Sequence, residues 1–206
     1  MIMKEKELTA AESLKLIERT IEQSRRDVAK ASAQPLLVWG GLVLSTSLII
    51  WLLMTNTSKG EDGNRWNLLW ILMSLIGGVY QYRFHRSWSV PDSIVSRTIG
   101  YMWGVFGISV FVLWAINICA ITFGGISVRQ VIPMTPTIIL LMGLSVAVTG
   151  LMMNRLFISI IGAVACAICA YFSLVNQGMN ELLCVAVTAV FTLIVPGLYL
   201  KFSNGR

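Results

Sequence analysis

Charge divides this chain into long uncharged stretches. Asp, Glu, Lys and Arg are absent from residues 31–58, 66–82, 98–128, 130–154, 156–180 and 182–200. The stretches are apolar throughout and lack the polar/apolar alternation of an outer-membrane strand. A helix needs about 20 apolar residues to cross hydrocarbon, within a range of roughly 17–25. Each stretch holds one such helix, and none comfortably holds two. The pattern predicts an all-α membrane protein, a six-transmembrane-helix bundle with spans at 36–54, 67–84, 99–122, 137–153, 156–175 and 182–200.

Local signals place the ends. Pro35 suits the first turn of the first span. Asn56, Gly60 and Gly63 mark a polar loop after it. Pro91-Asp92-Ser93 reads as a lead-in to the third span, and Gly124-Gly125 as its close. Thr135-Pro136 reads as an N-cap followed by proline at the first helical position. Asn180 and Glu181 start the sixth span, with an acid at the positive helix end. Asn154-Arg155 has the least support. Without a turn there, 137–175 would run on as one helix of about 58 Å, twice the hydrocarbon thickness. A tight hairpin with Arg155 at the interface is the expectation.

Residues 1–34 read as a cytoplasmic N-terminal amphipathic helix, 35–201 as the transmembrane domain and 202–206 as a cytoplasmic tail. Thr9 and Glu12 fit a capping box. Leu14, Ile17, Ile21, Ser24, Val28 and Ala31 then follow at alternating steps of three and four, a heptad stripe on a charged helix. Such a stripe has three uses. It can pack on the membrane domain or lie at the headgroups, with Arg25, Arg26 and Lys30 meeting anionic lipid. It can self-associate through residues 8–33. It can bind a cytosolic protein partner as a helix in a groove, with Leu14, Ile17, Ile21 and Val28 as the partner-binding residues.

Composition agrees with the pattern. The chain is 56% hydrophobic and 13% charged, with a mean hydropathy of +0.74. Soluble domains carry about twice that charged fraction, so the lipid bilayer must cover part of the apolar surface. The net charge of +6 would raise nucleic acid as a partner in a soluble chain. Here it is topological, and no nucleic-acid partner is expected. Of 16 Lys and Arg, all but Lys59, Arg65 and Arg129 fall on one face of the predicted topology. The positive-inside rule then puts both termini in the cytoplasm. Trp51, Trp66 and Trp70 mark the outer interface; Trp39, Tyr80, Tyr82, Trp88 and Tyr199 mark the inner one. The first long apolar run begins only at Pro35, so the first span is expected to be a retained anchor, not a signal peptide.

Little chemistry is on offer. The bodies of the spans hold no ionisable carboxylate or base, which argues against proton-coupled pumping and voltage sensing. The single histidine, His85, sits in a basic edge, where an interfacial role is commoner than catalysis. Cys166 and Cys169 form a C-x-x-C pair, and Cys119 and Cys184 also lie in apolar runs. Packing by small residues is the commoner role for such thiols than redox or zinc chemistry. No catalytic residue, metal or cofactor is predicted. Asn117, Ser145 and Thr149 are possible ligand-lining groups, although interhelical hydrogen bonding is their commoner use. Gly100, Gly104 and Gly107 give the third span a smooth face. Gly143 with Ala147, and Gly162 with Cys166 and Ala170, do so in the next two. Pro196-Gly197 is expected to kink the sixth span near its cytoplasmic side. Gly40-Gly41 and Gly77-Gly78 are superficial echoes and no internal repeat is legible.

The run Pro35-Leu36-Leu37-Val38-Trp39-Gly40, the start Trp66-Asn67-Leu68-Leu69-Trp70 and the charged helix before them resemble uncharacterised small polytopic membrane proteins of bacteria, of the Bacteroidota type. That resemblance implies a cytoplasmic-membrane location and carries no site. Two functions follow as expectations. One is a non-enzymatic regulatory or partner-binding membrane component acting through its N-terminal helix. The alternative is a small transporter, channel or solute-binding permease subunit for an uncharged or apolar solute. A membrane enzyme ranks third, with acid–base candidates such as His85 and Asp92 at the cytoplasmic edge.

Overall fold

The structure is a computed structural model that describes residues 10–57, 63–87, 93–125, 127 and 131–203. Thr9, Lys59, Gly60, Trp88, Pro91, Asp92, Arg129 and Arg206 lie outside the described residues, as does the side chain of His85. The described residues form helices joined by turns, with no strand among them. The order is α1 (Ala10–Thr55), a 3-10 turn (Gly63–Leu68), α2 (Leu69–Ser87), α3 (Ile94–Thr122), α4 (Met134–Met152), α5 (Leu156–Val175) and α6 (Glu181–Ser203), the last containing a π-helical turn at Val190–Ile194. Five of these helices, α1 and α3 to α6, are long and apolar enough to cross a membrane, the make-up of a multi-pass helical membrane protein.

The first departure from expectation is α1. No break separates an arm from a span: the helix runs unbroken for 46 residues with Pro35 inside it. Proline there removes the N–H that would bond the Ala31 carbonyl, and a mid-helix proline ordinarily kinks or breaks the chain. Tertiary packing holds it. Val28, Ala29, Ala33 and Leu36 are buried on both sides of Pro35, in the main core cluster with Ile99, Met142, Val146, Met153, Ile158, Leu193 and Leu200.

Asn154-Arg155 is a tight hairpin. Asn154 takes a left-handed φ of 56°. Its N–H donates to the Leu151 carbonyl at 3.0 Å, and that of Arg155 donates to the Gly150 carbonyl at 2.8 Å. These paired bonds form a Schellman C-cap, which satisfies carbonyls that a helix end leaves open. α4 and α5 consequently run antiparallel in close contact. A side chain on Gly143 would collide with Cys166, and a Cβ on Gly162 would stand 2.8 Å from Cγ1 of Val146. The Ser159 hydroxyl crosses between them to donate to the Ala147 carbonyl at 2.8 Å, a bond of about 0.6–2 kcal/mol in a membrane bundle.

Pro136 falls later in the first turn of α4 than expected, and Pro196 follows a local change of winding. α4 starts at Met134 with Pro133 at its N-cap, so Thr135 does not cap it. Pro136 falls in the first turn, where its missing N–H has no intrahelical partner to lose. Pro196 in α6 follows a π-helical turn, closed by the Val195 N–H donating to the Val190 carbonyl. An α-helical proline crowds the carbonyl four residues back, here that of Thr192. The wider π turn sits where that crowding falls.

Candidate functional site

α1 presents two different surfaces along one helix. Leu14, Ile17 and Ile21 are 68%, 55% and 46% exposed, whereas Val28 is 2% exposed. The heptad stripe therefore splits. Its first three positions stand free, and Val28 is core with no surface left for a partner. Val28 belongs to the core cluster that also holds Ile99 of α3, Met153, Ile158 of α5 and Leu200 of α6, whereas Leu14, Ile17 and Ile21 lie about two to four turns further out along α1. The polar face of the free part carries a single ion pair among the described residues, Arg26 to Glu22 at 3.4 Å. Both side chains are exposed, so it contributes a few tenths of a kcal/mol at most.

The membrane half of α1 is clasped by α6. A Cβ on Gly40 would stand 2.9 Å from the Cβ of Leu193 and 3.2 Å from the backbone nitrogen of Ile194. A Cβ on Gly197 would stand 2.8 Å from Cγ of Leu37 and 3.2 Å from the Ala33 carbonyl oxygen. The two backbones thus meet at the π turn and at Gly197, the small-residue contact that membrane helices favour. Thr46 and Ser47 of α1, and Thr188 and Thr192 of α6, are buried in this part of the bundle. Three of these hydroxyls donate within their own helices at 2.7 Å: Ser47 to Val43, Thr188 to Cys184 and Thr192 to Thr188. Such bonds spare the neighbouring helix an unpaired donor. On its other side α1 holds α2. The Trp39 ring lies over Gly77, where any side chain would collide with it, and its Nε1 donates to Gln81 Oε1 at 3.4 Å.

These contacts escaped the sequence reading. Gly40, Gly77, Gly150 and Gly197 are the glycines that let helices touch, along with Gly143 and Gly162. Gly40-Gly41 and Gly77-Gly78 were visible as pairs, but which glycine of each faces a neighbour is set by helix phase. Gly41 and Gly78 have nothing within 4 Å of an added Cβ. The smooth face of α3 has no partner among the described residues either: Gly100, Gly104 and Gly107 all face open space. α3 touches α4 and α1 through Ile99, Trp103 and Phe106 instead.

The three candidate ligand-lining groups do not converge. Asn117 Nδ2 donates to the Ile132 carbonyl at 2.9 Å and ties α3 to the loop before α4. Thr149 lies at the far end of α4, about 22 Å of helix beyond Met134, with its hydroxyl donating to the Ser145 carbonyl at 2.7 Å. Cys166 and Cys169 are buried with Ile139 and Ala170, and Cys184 and Val185 pack on them. All four cysteines are reduced, and no cluster of three metal-ligating side chains occurs among the described residues. Comparison with protein-family models, curated proteins and solved structures finds no match for the chain.

Proposed function

We propose that this chain is a non-enzymatic component of the bacterial inner membrane that crosses it six times, keeps both termini in the cytoplasm, and docks a cytosolic protein partner on its N-terminal arm. The observation that carries this is the exposed stripe Leu14, Ile17 and Ile21 on the same unbroken helix whose next turns are core. Taking Leu36 as the cytoplasmic edge of the hydrocarbon, the stripe stands about 22–33 Å further along the helix. A straight continuation of a core helix carries the stripe away from the bilayer plane, and this supports docking of a partner over a surface-lying arm.

Self-pairing is the weaker use of the stripe. With Leu14 at a and Ile17 at d, a parallel dimer would set Ser13 against Glu18 and Thr20 against Arg25 at its flanks. No pair of opposite charges specifies that dimer. A partner with its own apolar groove and charges meets the stripe without that constraint.

A photo-cross-linkable residue placed in living cells at Ile17, Ile21 or Arg19 tests the reading. Arg19 lies about 200° around the helix from Ile17. Discrete protein adducts are expected from Ile17 and Ile21, absent from Arg19, and lost when Leu14 becomes Asp. Adducts with lipid alone, or equal yields from all three positions, would sink the proposal.

A further inference from the structure

We propose that the outward face of α2 is a binding groove for an anionic phospholipid of the cytoplasmic leaflet, with Arg83 pairing the headgroup phosphate and the notch at Gly78 taking an acyl chain. This rests on the topology above, which puts the C-terminal end of α2 at the cytoplasmic surface.

The groove is a shallow, open depression of about 570 Å³ on α2 alone, lined by Ser74, Leu75, Gly78, Val79, Tyr82 and Arg83. These residues form two adjacent rows at steps of four, so they share one helix face. The opposite face of α2 is already occupied, through Trp39 over Gly77 and Gln81. At the middle of the groove Gly78 has nothing within 4 Å of an added Cβ. Leu75, Val79 and Tyr82 flank that notch and are exposed. An aliphatic chain lying between them buries apolar surface that none of the described residues covers.

Charge selects the headgroup. Arg83 makes no ion pair among the described residues. A guanidinium matches a phosphate bidentately, and Tyr82 beside it adds a neutral hydroxyl. A zwitterionic lipid brings its own ammonium to compete for that phosphate, whereas an anionic lipid does not. The deep end of the groove is apolar in effect, because the Ser74 hydroxyl already donates to the Trp70 carbonyl at 2.8 Å. A polar solute finds no free donor there. Length fits as well. Ser74 to Arg83 spans about 13 Å of helix, close to half of the roughly 30 Å hydrocarbon thickness, which is one leaflet.

Native mass spectrometry of the full-length protein, released from nanodiscs holding equal phosphatidylglycerol and phosphatidylcholine of identical chains, reads the retained lipid. Wild type is expected to retain phosphatidylglycerol preferentially, by roughly tenfold, the scale of one charged hydrogen-bonded pair. Arg83→Ala should abolish the preference. Gly78→Leu should reduce retention of both lipids without changing the elution volume or helicity, since that position faces open space. Lys201→Ala removes a charge from the same predicted face outside the groove and should leave the preference intact. Equal retention of the two lipids by wild type, or equal losses from Arg83→Ala and Lys201→Ala, overturns the site in favour of diffuse attraction to a basic surface. Labelling a cysteine at position 83 from each side of sealed vesicles separates this from the topology. A label only from outside, with the Arg83→Ala effect retained, moves the lipid to the other leaflet and refutes the orientation alone.

Discussion

The N–H of Arg155 donates to the carbonyl of Gly150 at 2.8 Å, and this bond decides how the second half of the chain is threaded. It exists because Asn154 accepts the left-handed conformation, φ 56°. Asparagine tolerates that region better than most residues, and a β-branched residue there costs about 1–2 kcal/mol. Asn154→Val should lower the thermal unfolding midpoint in detergent, while Asn154→Gly should leave it level or raise it slightly. Gly150→Ala should be worse than either, because the new Cβ would meet the Ser159 backbone nitrogen at 2.7 Å. Forcing backbones apart in a packed bundle costs about 1–3 kcal/mol.

A second contrast uses adjacent glycines on α1. Gly40 faces the π turn of α6, and Gly41 faces open space. Gly40→Val should destabilise the protein by about 2 kcal/mol or more, and Gly41→Val should be neutral within about 0.5 kcal/mol. Chemical denaturation followed by tryptophan fluorescence measures both. Equal effects would mean that α1 and α6 do not meet through Gly40.

Much of the architecture was legible because lipid makes charge placement strict. The hydrophobic limits of α5, Leu156–Val175, are those that Arg155 and the Asn176–Asn180 turn impose. Reading failed where packing overrode a local signal. Pro35 marks a helix start in isolation, yet the burial of Ala33 and Leu36 carries α1 through it. Thr135 has the chemistry of an N-cap, but Pro133 already ends the preceding extended segment. Glycine stripes were visible on α3, α4 and α5, while only helix phase and neighbours decide which are covered. Val28 fits the partner-binding stripe by spacing and is core all the same. Periodicity cannot tell a stripe that faces the chain's own core from one that faces another molecule. Leu14, Ile17 and Ile21 differ from Val28 in height along α1, a property with no local sequence mark.

Pro196 offers a test of why α6 is π-helical at Val190–Ile194. If crowding of the Thr192 carbonyl favours the wide turn, Pro196→Ala should let residues 192–196 return to α-helical bonding. The N–H restored at position 196 would then donate to the Thr192 carbonyl. Amide hydrogen exchange across Leu193–Leu200 should slow in the variant, and the contact of Gly40 with Leu193 and Ile194 should shift. Unchanged exchange would assign the π turn to packing against α1 instead of to the proline.

The number of crossings turns on α2. Its 19 residues cover about 28 Å, and the 3-10 turn before it adds about 12 Å, so length permits a crossing. Its C-terminal end is basic, with Arg83, and α3 opens with Arg97 in its first turn. Both suit a cytoplasmic loop between α2 and α3. A cysteine-free variant carrying one new cysteine at Gln23, Asn176 or Lys201 separates the alternatives with a membrane-impermeant maleimide on sealed vesicles. If α2 crosses, Asn176 should label from outside, and Gln23 and Lys201 only from inside. If α2 stays on the outer surface, every later helix reverses. Lys201 would then label from outside and Asn176 from inside, with Gln23 unchanged. Because Asn176 and Lys201 exchange sides while Gln23 does not, the pair reports on α2 without any probe placed in α2 itself.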